Sequence, residues 1–223
     1  MKTQTVIDRP GAPIEKWWGP DYDSESVRYA VNEWQKKANY ILSLVDKKRT
    51  VIQAGGNVGV FPKRLAQHFM SVYTFEPVRF NYECLLKNIE GIYNIVPYNK
   101  GLSDKEQNTH IKWKHENNCG AVRLSEDDDG DIKLITLDSI EIIDVDMIWL
   151  DVEGFEYKAL QGAKQTIEKY RPVIILENNG LIHGYPEPQK GKGSIEFRNV
   201  MLEEFNYKLD KTMMRDDIYI YAN

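Results

Sequence analysis

Val51-Ile52-Gln53-Ala54-Gly55-Gly56-Asn57-Val58-Gly59-Val60-Phe61, followed by Tyr73-Thr74-Phe75-Glu76, decides how this chain is read. An apolar strand runs into a glycine-rich turn, the turn opens a helix, and the next strand ends in a carboxylate. Glycines let backbone approach a ligand, a helix N-terminus offers N–H groups, and a carboxylate can accept both hydroxyls of a ribose. Gly55 and Gly59 are spaced G-x-x-x-G, not the G-x-G-x-x-G that surrounds a dinucleotide pyrophosphate. The turn therefore suits a nucleoside ligand without phosphate.

Working outward, strands at 50–54, 71–75, 93–99, 146–150 and 172–176 alternate with helices at 60–69, 79–88 and 155–168. This rhythm predicts an α/β fold: a doubly wound, mostly parallel sheet covered on both faces. Segments 207–210 and 217–221, joined by a short link, predict one antiparallel edge strand. Helix 194–205 precedes them. Residues 105–136 break the rhythm with short polar pieces and read as a β-hairpin insertion. Residues 1–20, with Pro10, Gly11, Pro13, Gly19 and Pro20, read as irregular. Residues 23–46 form an amphipathic helix, with Asp23 or Ser24 as cap and Val27, Ala30, Val31, Trp34, Ala38, Ile41 and Leu42 on its apolar stripe. The expected division is an N-terminal arm and helix at 1–49, a candidate lid, and one domain at 50–223.

Composition narrows the function classes. The 223 residues hold 29 Lys and Arg against 34 Asp and Glu, a net charge of −5 without a basic stripe, which argues against a dedicated nucleic-acid binder. No apolar run reaches the ~18 residues of a membrane span. Two cysteines, Cys84 and Cys119, make no disulfide framework, and the polar N-terminus does not read as a signal peptide, so a cytoplasmic location is expected. Four histidines and no paired cysteines argue against zinc. Ser125 to Asp131 has a superficial likeness to a calcium loop, but Thr136 stands where the closing Glu belongs; it reads as a solvated hairpin tip.

Ligands of open α/β sheets sit beyond the carboxyl ends of the strands. Those ends carry Gln53 to Gly59, Glu76-Pro77, Gly101-Leu102-Ser103-Asp104, Asp151-Val152-Glu153-Gly154 and Glu177-Asn178-Asn179. Acids gathered on one rim are costly unless positive charge joins them. S-adenosylmethionine, with its sulfonium and ammonium groups, supplies that charge, and so does a divalent metal.

Gln53-Ala54-Gly55-Gly56-Asn57-Val58-Gly59, Phe75-Glu76-Pro77, Gly101-Leu102-Ser103-Asp104, Thr136-Leu137-Asp138-Ser139, Asp151-Val152-Glu153-Gly154-Phe155-Glu156 with Leu160-Gln161-Gly162-Ala163, and Arg171 to Glu177 together resemble the FkbM-type methyltransferases of the class I S-adenosylmethionine-dependent fold. The D-V-E-G-x-E segment with the later L-x-G-A carries most of the specificity. The resemblance covers 50–180 and extends toward 221. It implies a seven-stranded sheet with a reversed last strand, and O-methylation of a hydroxyl on a sugar, glycan or secondary metabolite.

By position, the resemblance makes Gly55, Gly56, Asn57 and Gly59 the turn around the cofactor, and Glu76 the ribose ligand. It puts Ser103 and Asp104 on the adenine side and Asp151 near the transferred methyl. Gln53 departs from the usual acid of the first motif and supplies no charge toward the amino-acid end of the cofactor. A hydroxyl acceptor calls for a base or a metal. Asp151 is the first candidate base and His183 the second. Asp151, Glu177 and Asn178 also resemble the Asp, Asp-Asn set of catechol O-methyltransferase and would suit Mg²⁺; the competing role for Glu177 and Asn178 is bonding to loop backbone or substrate hydroxyls. Glu153 is read toward the pocket, with Glu156 and Asp138 as helix-capping acids. Trp17, Trp18 and Tyr22 either cover the pocket or anchor the N-terminal arm. A nicotinamide-dependent oxidoreductase and a catalytically inactive cofactor-binding module are the competing functions.

Overall fold

The computed structural model describes residues 1–7, 14–178 and 202–222. Its centre is a seven-stranded sheet. In chain order the strands are β3 (Thr50–Ala54), β4 (Ser71–Phe75), β5 (Ile95–Tyr98), β11 (Val145–Leu150), β12 (Val173–Glu177), β13 (Tyr207–Met213) and β14 (Asp216–Tyr221). Their spatial order is β13-β14-β12-β11-β3-β4-β5. The first five are parallel, and β14 runs antiparallel to both β12 and β13. The reversed strand thus lies one place in from the edge. The β13–β14 hairpin docks through its second strand, leaving β13 outermost.

Val51, Ile52, Ala54, Met147, Ile148 and Ile175 are fully buried, as expected of central strands covered on both faces. Alternation divides these strands between two cores. Ile52, Ala54, Ile148, Leu150, Ile174 and Leu176 pack under α4 (Glu156–Gln161) and α5 (Lys164–Tyr170), where Ala159, Leu160 and Ile167 meet them. Val51, Met147, Trp149 and Ile175 face the opposite layer. That layer is α1 (Ser26–Ser43), α2 (Val60–Leu65) and α3 (Arg79–Asn88), contributing Trp34, Ala38, Ile41, Leu65 and Leu85. The N-terminal helix is therefore a layer of the main fold.

The N-terminal residues are more regular than their prolines suggest. β1 (Lys2–Ile7) and β2 (Ile14–Gly19) form an antiparallel hairpin. Pro10, Gly11 and Pro13 fall in its connection, outside the described residues, so the strands themselves keep their hydrogen bonds. Trp17 is buried against Val27, Val31, Val58 and Val60, and Asn88 brackets Trp18 by bonding its backbone N–H and C=O. Both tryptophans anchor the N-terminal arm to the body.

The 105–136 insertion holds β7 (Gln107–Thr109), β8 (Ile111–Lys114), β9 (Val122–Leu124) and β10 (Ile132–Ile135). β8 pairs with β9, while β10 joins β7 to β6 (Gly101–Leu102). The β8–β9 loop is tied back to the body. Ser24 donates to the Asn117 carbonyl, the Cys119 N–H donates to Asp23, and the Asn81 amide donates to the Cys119 carbonyl. Among the described residues no helix is long and apolar enough to cross a membrane.

Candidate active site

Two adjoining clefts open at the carboxyl ends of the parallel strands. The first, about 530 Å³, is lined by Phe75, Glu76, Gly101, Leu102, Leu134 and Phe155, among others. The second, about 770 Å³, lies under α1 and includes Tyr29, Glu33, Asn57, Asp151, Glu177 and Arg215. Gly55, Glu76, Gly120, Asp151 and Glu153 belong to both.

The glycine turn is where they meet. Gly55 and Gly56 donate their N–H groups to the Phe75 carbonyl, which fixes the turn against the end of β4. Gly55 has φ +85°, and a Cβ there would stand 1.8 Å from the Asp151 carbonyl oxygen. Gly59, with φ +96°, starts α2. Glycine is required at Gly55 by the approach of β11, a reason separate from ligand contact. Asn57, with φ +46°, donates its N–H to Glu76 and accepts a bond from the Cys119 thiol.

Glu76 is buried at the end of β4, one oxygen accepting from Asn57 N–H and the other from Val78 N–H. Burial pushes its pKa up to about 7, against the pull of these bonds. It stands at the edge of an apolar slot, as a ribose ligand beside an adenine site would.

Gln53 sits differently from its expected role. Alternation puts it on the α1–α3 face, opposite Thr74 and Trp149 in the ladder. Its amide donates to the Ala54 and Gly55 carbonyls, and its oxygen accepts from the Thr74 hydroxyl. It holds the turn from behind. Gly101 and Leu102, just before the Ser103 and Asp104 read from the sequence, line the first cleft. Ser103 lies beyond, buried, bonding the Ile135 carbonyl through its N–H and Asp104 through its hydroxyl, while Asp104 is exposed.

The acids of β11 and β12 converge. Oxygens of Asp151, Glu153 and Glu177 all lie within 4.8 Å of one another. Burial, then the Glu177 charge, raises Asp151 well above the usual carboxylate range. Burial and the Asp151 charge raise Glu153 to about 7, and burial and Glu153 raise Glu177 to about 8. Arg215 stands 3.6 Å from Glu177 and 3.7 Å from Glu33. Glu156 is occupied elsewhere, accepting N–H bonds from Val152 and Gly154 and so bracing the turn that aims Glu153. Asp138 caps α5, accepting from the N–H groups of Gln165 and Thr166.

Asn178 is not part of this group. It follows Glu177 in the strand and so points to the other face, donating to Asp217. Of the set read from the sequence for a metal, Asp151 and Glu177 stand together and Asn178 does not; the third carboxylate beside them is Glu153. His183 lies outside the described residues.

Lys37 and Asn81 were missed in the sequence. Lys37 is 1 % exposed, 2.5 Å from Asp216 and 3.6 Å from Glu33. Burial raises Asp216 to about 6 despite this pairing. Lys37 interrupts the apolar stripe between Trp34 and Ile41, and Asn81 shares the buried face of α3 with Cys84, Leu85 and Asn88. A polar residue on an apolar stripe was the available signal.

Comparison with known proteins gives the family. The Methyltransferase FkbM domain matches residues 53–209. The solved structure of methyltransferase FkbM from Methylobacillus flagellatus KT superposes with TM-score 0.50 at 16 % identity, over 79 % of this chain and 44 % of that one. The chain thus spans less than half the length of that relative. A SAM-dependent methyltransferase from Aquifex aeolicus gives TM-score 0.47 at 11 % identity, covering 89 % and 100 %. TYW2 of M. jannaschii, solved with AdoMet, gives 0.46 at 14 %, covering 100 % and 89 %. No curated protein matches. With the family's domain spread over well more than half of its length, the chain belongs to the FkbM methyltransferase domain family.

Proposed function

We propose that this chain transfers the methyl group of S-adenosylmethionine to a hydroxyl oxygen of a sugar, glycan or other hydroxylated small molecule. The observation that supports the oxygen acceptor is the close set of Asp151, Glu153 and Glu177, with pKa values lifted to about 7 and about 8 for the two glutamates. A hydroxyl attacks well only as its proton leaves, and the best base has a pKa near the working pH. The residues present also fit the cofactor: an apolar slot for a ring, Glu76 at its edge for a diol, and an acid-rich end for a cation.

When bound, the cofactor supplies a methyl group on a positively charged sulfur. The chain's own part is positional and acid–base. Glu76 and the slot hold the nucleoside, and the turn at Gly55 sets its depth beside Asp151. The hydroxyl proton passes to a carboxylate oxygen of the Asp151–Glu177 pair while the oxygen takes the methyl. A positive ligand charge lowers the pKa of these acids by Coulomb attraction and keeps one ionised as base. Aligning the reactants supplies up to ~7–11 kcal/mol of the barrier. Asp151 keeps its role as first base, with Glu177 as its partner.

A second reading assigns the same three carboxylates to Mg²⁺. Their oxygens are hard donors that suit this ion, which would orient a diol and lower its hydroxyl pKa. We place the protein in the cytoplasm, where Cys84 and Cys119, both buried free thiols, stay reduced.

The test is formation of the demethylated cofactor with a panel of sugars, glycans and diols, with Mg²⁺ and with chelator. Transfer that persists in chelator favours the acid–base reading, and transfer that needs Mg²⁺ favours the metal. Cofactor binding without transfer to any hydroxyl marks a binding module. Retention of a nicotinamide in place of S-adenosylmethionine sinks the proposal.

A further inference from the structure

Asn81 is 2 % exposed, yet it belongs to the wall of the first cleft. Its amide nitrogen donates to the Cys119 carbonyl at 2.8 Å. A carbonyl can only accept, so this bond fixes which end of the carboxamide is which. The oxygen left over, Oδ1, is buried without a hydrogen-bond partner among the described residues. An acceptor kept this way is costly, and such groups call for an explanation in the native structure. The side chain also neighbours Glu76, whose carboxylate it helps to stabilise.

Glu76 keeps one free acceptor site on each oxygen for a ribose. Each of its oxygens already accepts one backbone N–H, from Asn57 or from Val78. A cis-diol brings two donors. We propose that Asn81 completes the ribose site: Oδ1 accepts the hydrogen bond of one hydroxyl while Glu76 accepts the other. A carboxylate and a carboxamide together then read the diol, and the chain discriminates against nucleosides lacking one hydroxyl. This inference rests on the cofactor reading above and adds to it a residue that selects the ligand.

The experiment is calorimetric titration of the full chain with S-adenosylhomocysteine and with its 2′-deoxy and 3′-deoxy analogues. Wild type and Asn81→Ala are compared, each checked by thermal denaturation. The wild type is expected to bind one deoxy analogue about tenfold more weakly than the parent through the Asn81 bond. Asn81→Ala should lose about tenfold toward the parent and little further toward that same analogue, because the two deletions remove one bond. Equal weakening of the parent and both analogues by Asn81→Ala would mean that the residue merely holds the Cys119 loop, and would overturn the proposal. So would unchanged affinity in the variant. The wild-type measurement stands alone if the variant fails to fold: equal affinity for parent and both analogues also overturns it. A wild type that binds none of the three removes the cofactor reading itself, an outcome distinct from intact binding without coupling.

Discussion

The slot beside β4 and the groove beside β11 and β12 are built from the same kind of strand end, yet they treat their carboxylates differently. In the slot, Glu76 stands among apolar walls with a backbone N–H on each oxygen. In the groove, Asp151, Glu153 and Glu177 crowd together, with Arg215 no nearer than 3.6 Å to Glu177. Backbone donors fix one acid as a stationary acceptor. Burial first, and then the charges of their neighbours, raise the other three above the ordinary carboxylate range. On the proposed function, binding and chemistry fall at neighbouring places along one rim, with Gly55 between them.

The sharpest way to break this division is to disturb the shared turn. Gly55→Ala puts a Cβ into the Asp151 carbonyl at a positive φ and should cost more than about 3 kcal/mol, ending function in both clefts. Chemical denaturation reads it; a variant that melts like wild type would show that the turn is slack. Next in size, Asp151→Asn should lower turnover by roughly 10²–10⁴ while leaving S-adenosylhomocysteine affinity within a few-fold of wild type. Equal losses in both would mean that the groove also binds the nucleoside. Glu76→Ala should do the reverse, weakening that ligand by about 10–100-fold with turnover at saturating cofactor nearly kept. Titration and initial rates on the same preparations separate the two patterns.

A smaller effect sharpens the contrast through pH. Glu76, Glu153 and Glu177 have folded pKa values of about 7, about 7 and about 8, above their ordinary 4.5. Between those limits the folded state holds protons that the unfolded state has released. The ligand-free protein should therefore be most stable near pH 5 and lose melting temperature steadily toward pH 8. Glu177→Gln should flatten that slope and raise stability at pH 8 while lowering turnover. A melting temperature that climbs from pH 5 to 8 would contradict the crowded-acid picture. Smallest of all, Asn178→Ala should leave any Mg²⁺ response unchanged, since its side chain serves Asp217.

Much of this was legible in the sequence. The strand–turn–helix–strand–acid run gave the parallel centre, and the D-V-E-G-x-E segment located two of the three grouped acids. Glu177 was found as well, because it ends an unmistakable apolar strand. The errors share a physical cause. Asn178 and Gln53 were assigned by their place in a motif, whereas a strand turns successive side chains to opposite faces. The β1–β2 hairpin leaves a weak local signal because Pro10 and Pro13 stand between two short strands, Lys2–Ile7 and Ile14–Gly19. Ser103 and Asp104 were expected at the ligand, but pairing of Leu102 with Ile135 carries the chain into a second small sheet first. Long-range pairing of that kind leaves no local trace.

The bond between Lys37 and Asp216 has a consequence for how the chain is made. Residue 37 leaves the ribosome long before residue 216, so through most of synthesis its ammonium must stay in water, with Glu33 as its nearby acid. Burying it early would strand a charge in the core. The first helix is therefore expected to settle fully against the sheet only once the strand that carries Asp216 has arrived. A nascent chain stalled before residue 216 should leave residues 26–43 open to protease, and a released chain should protect them.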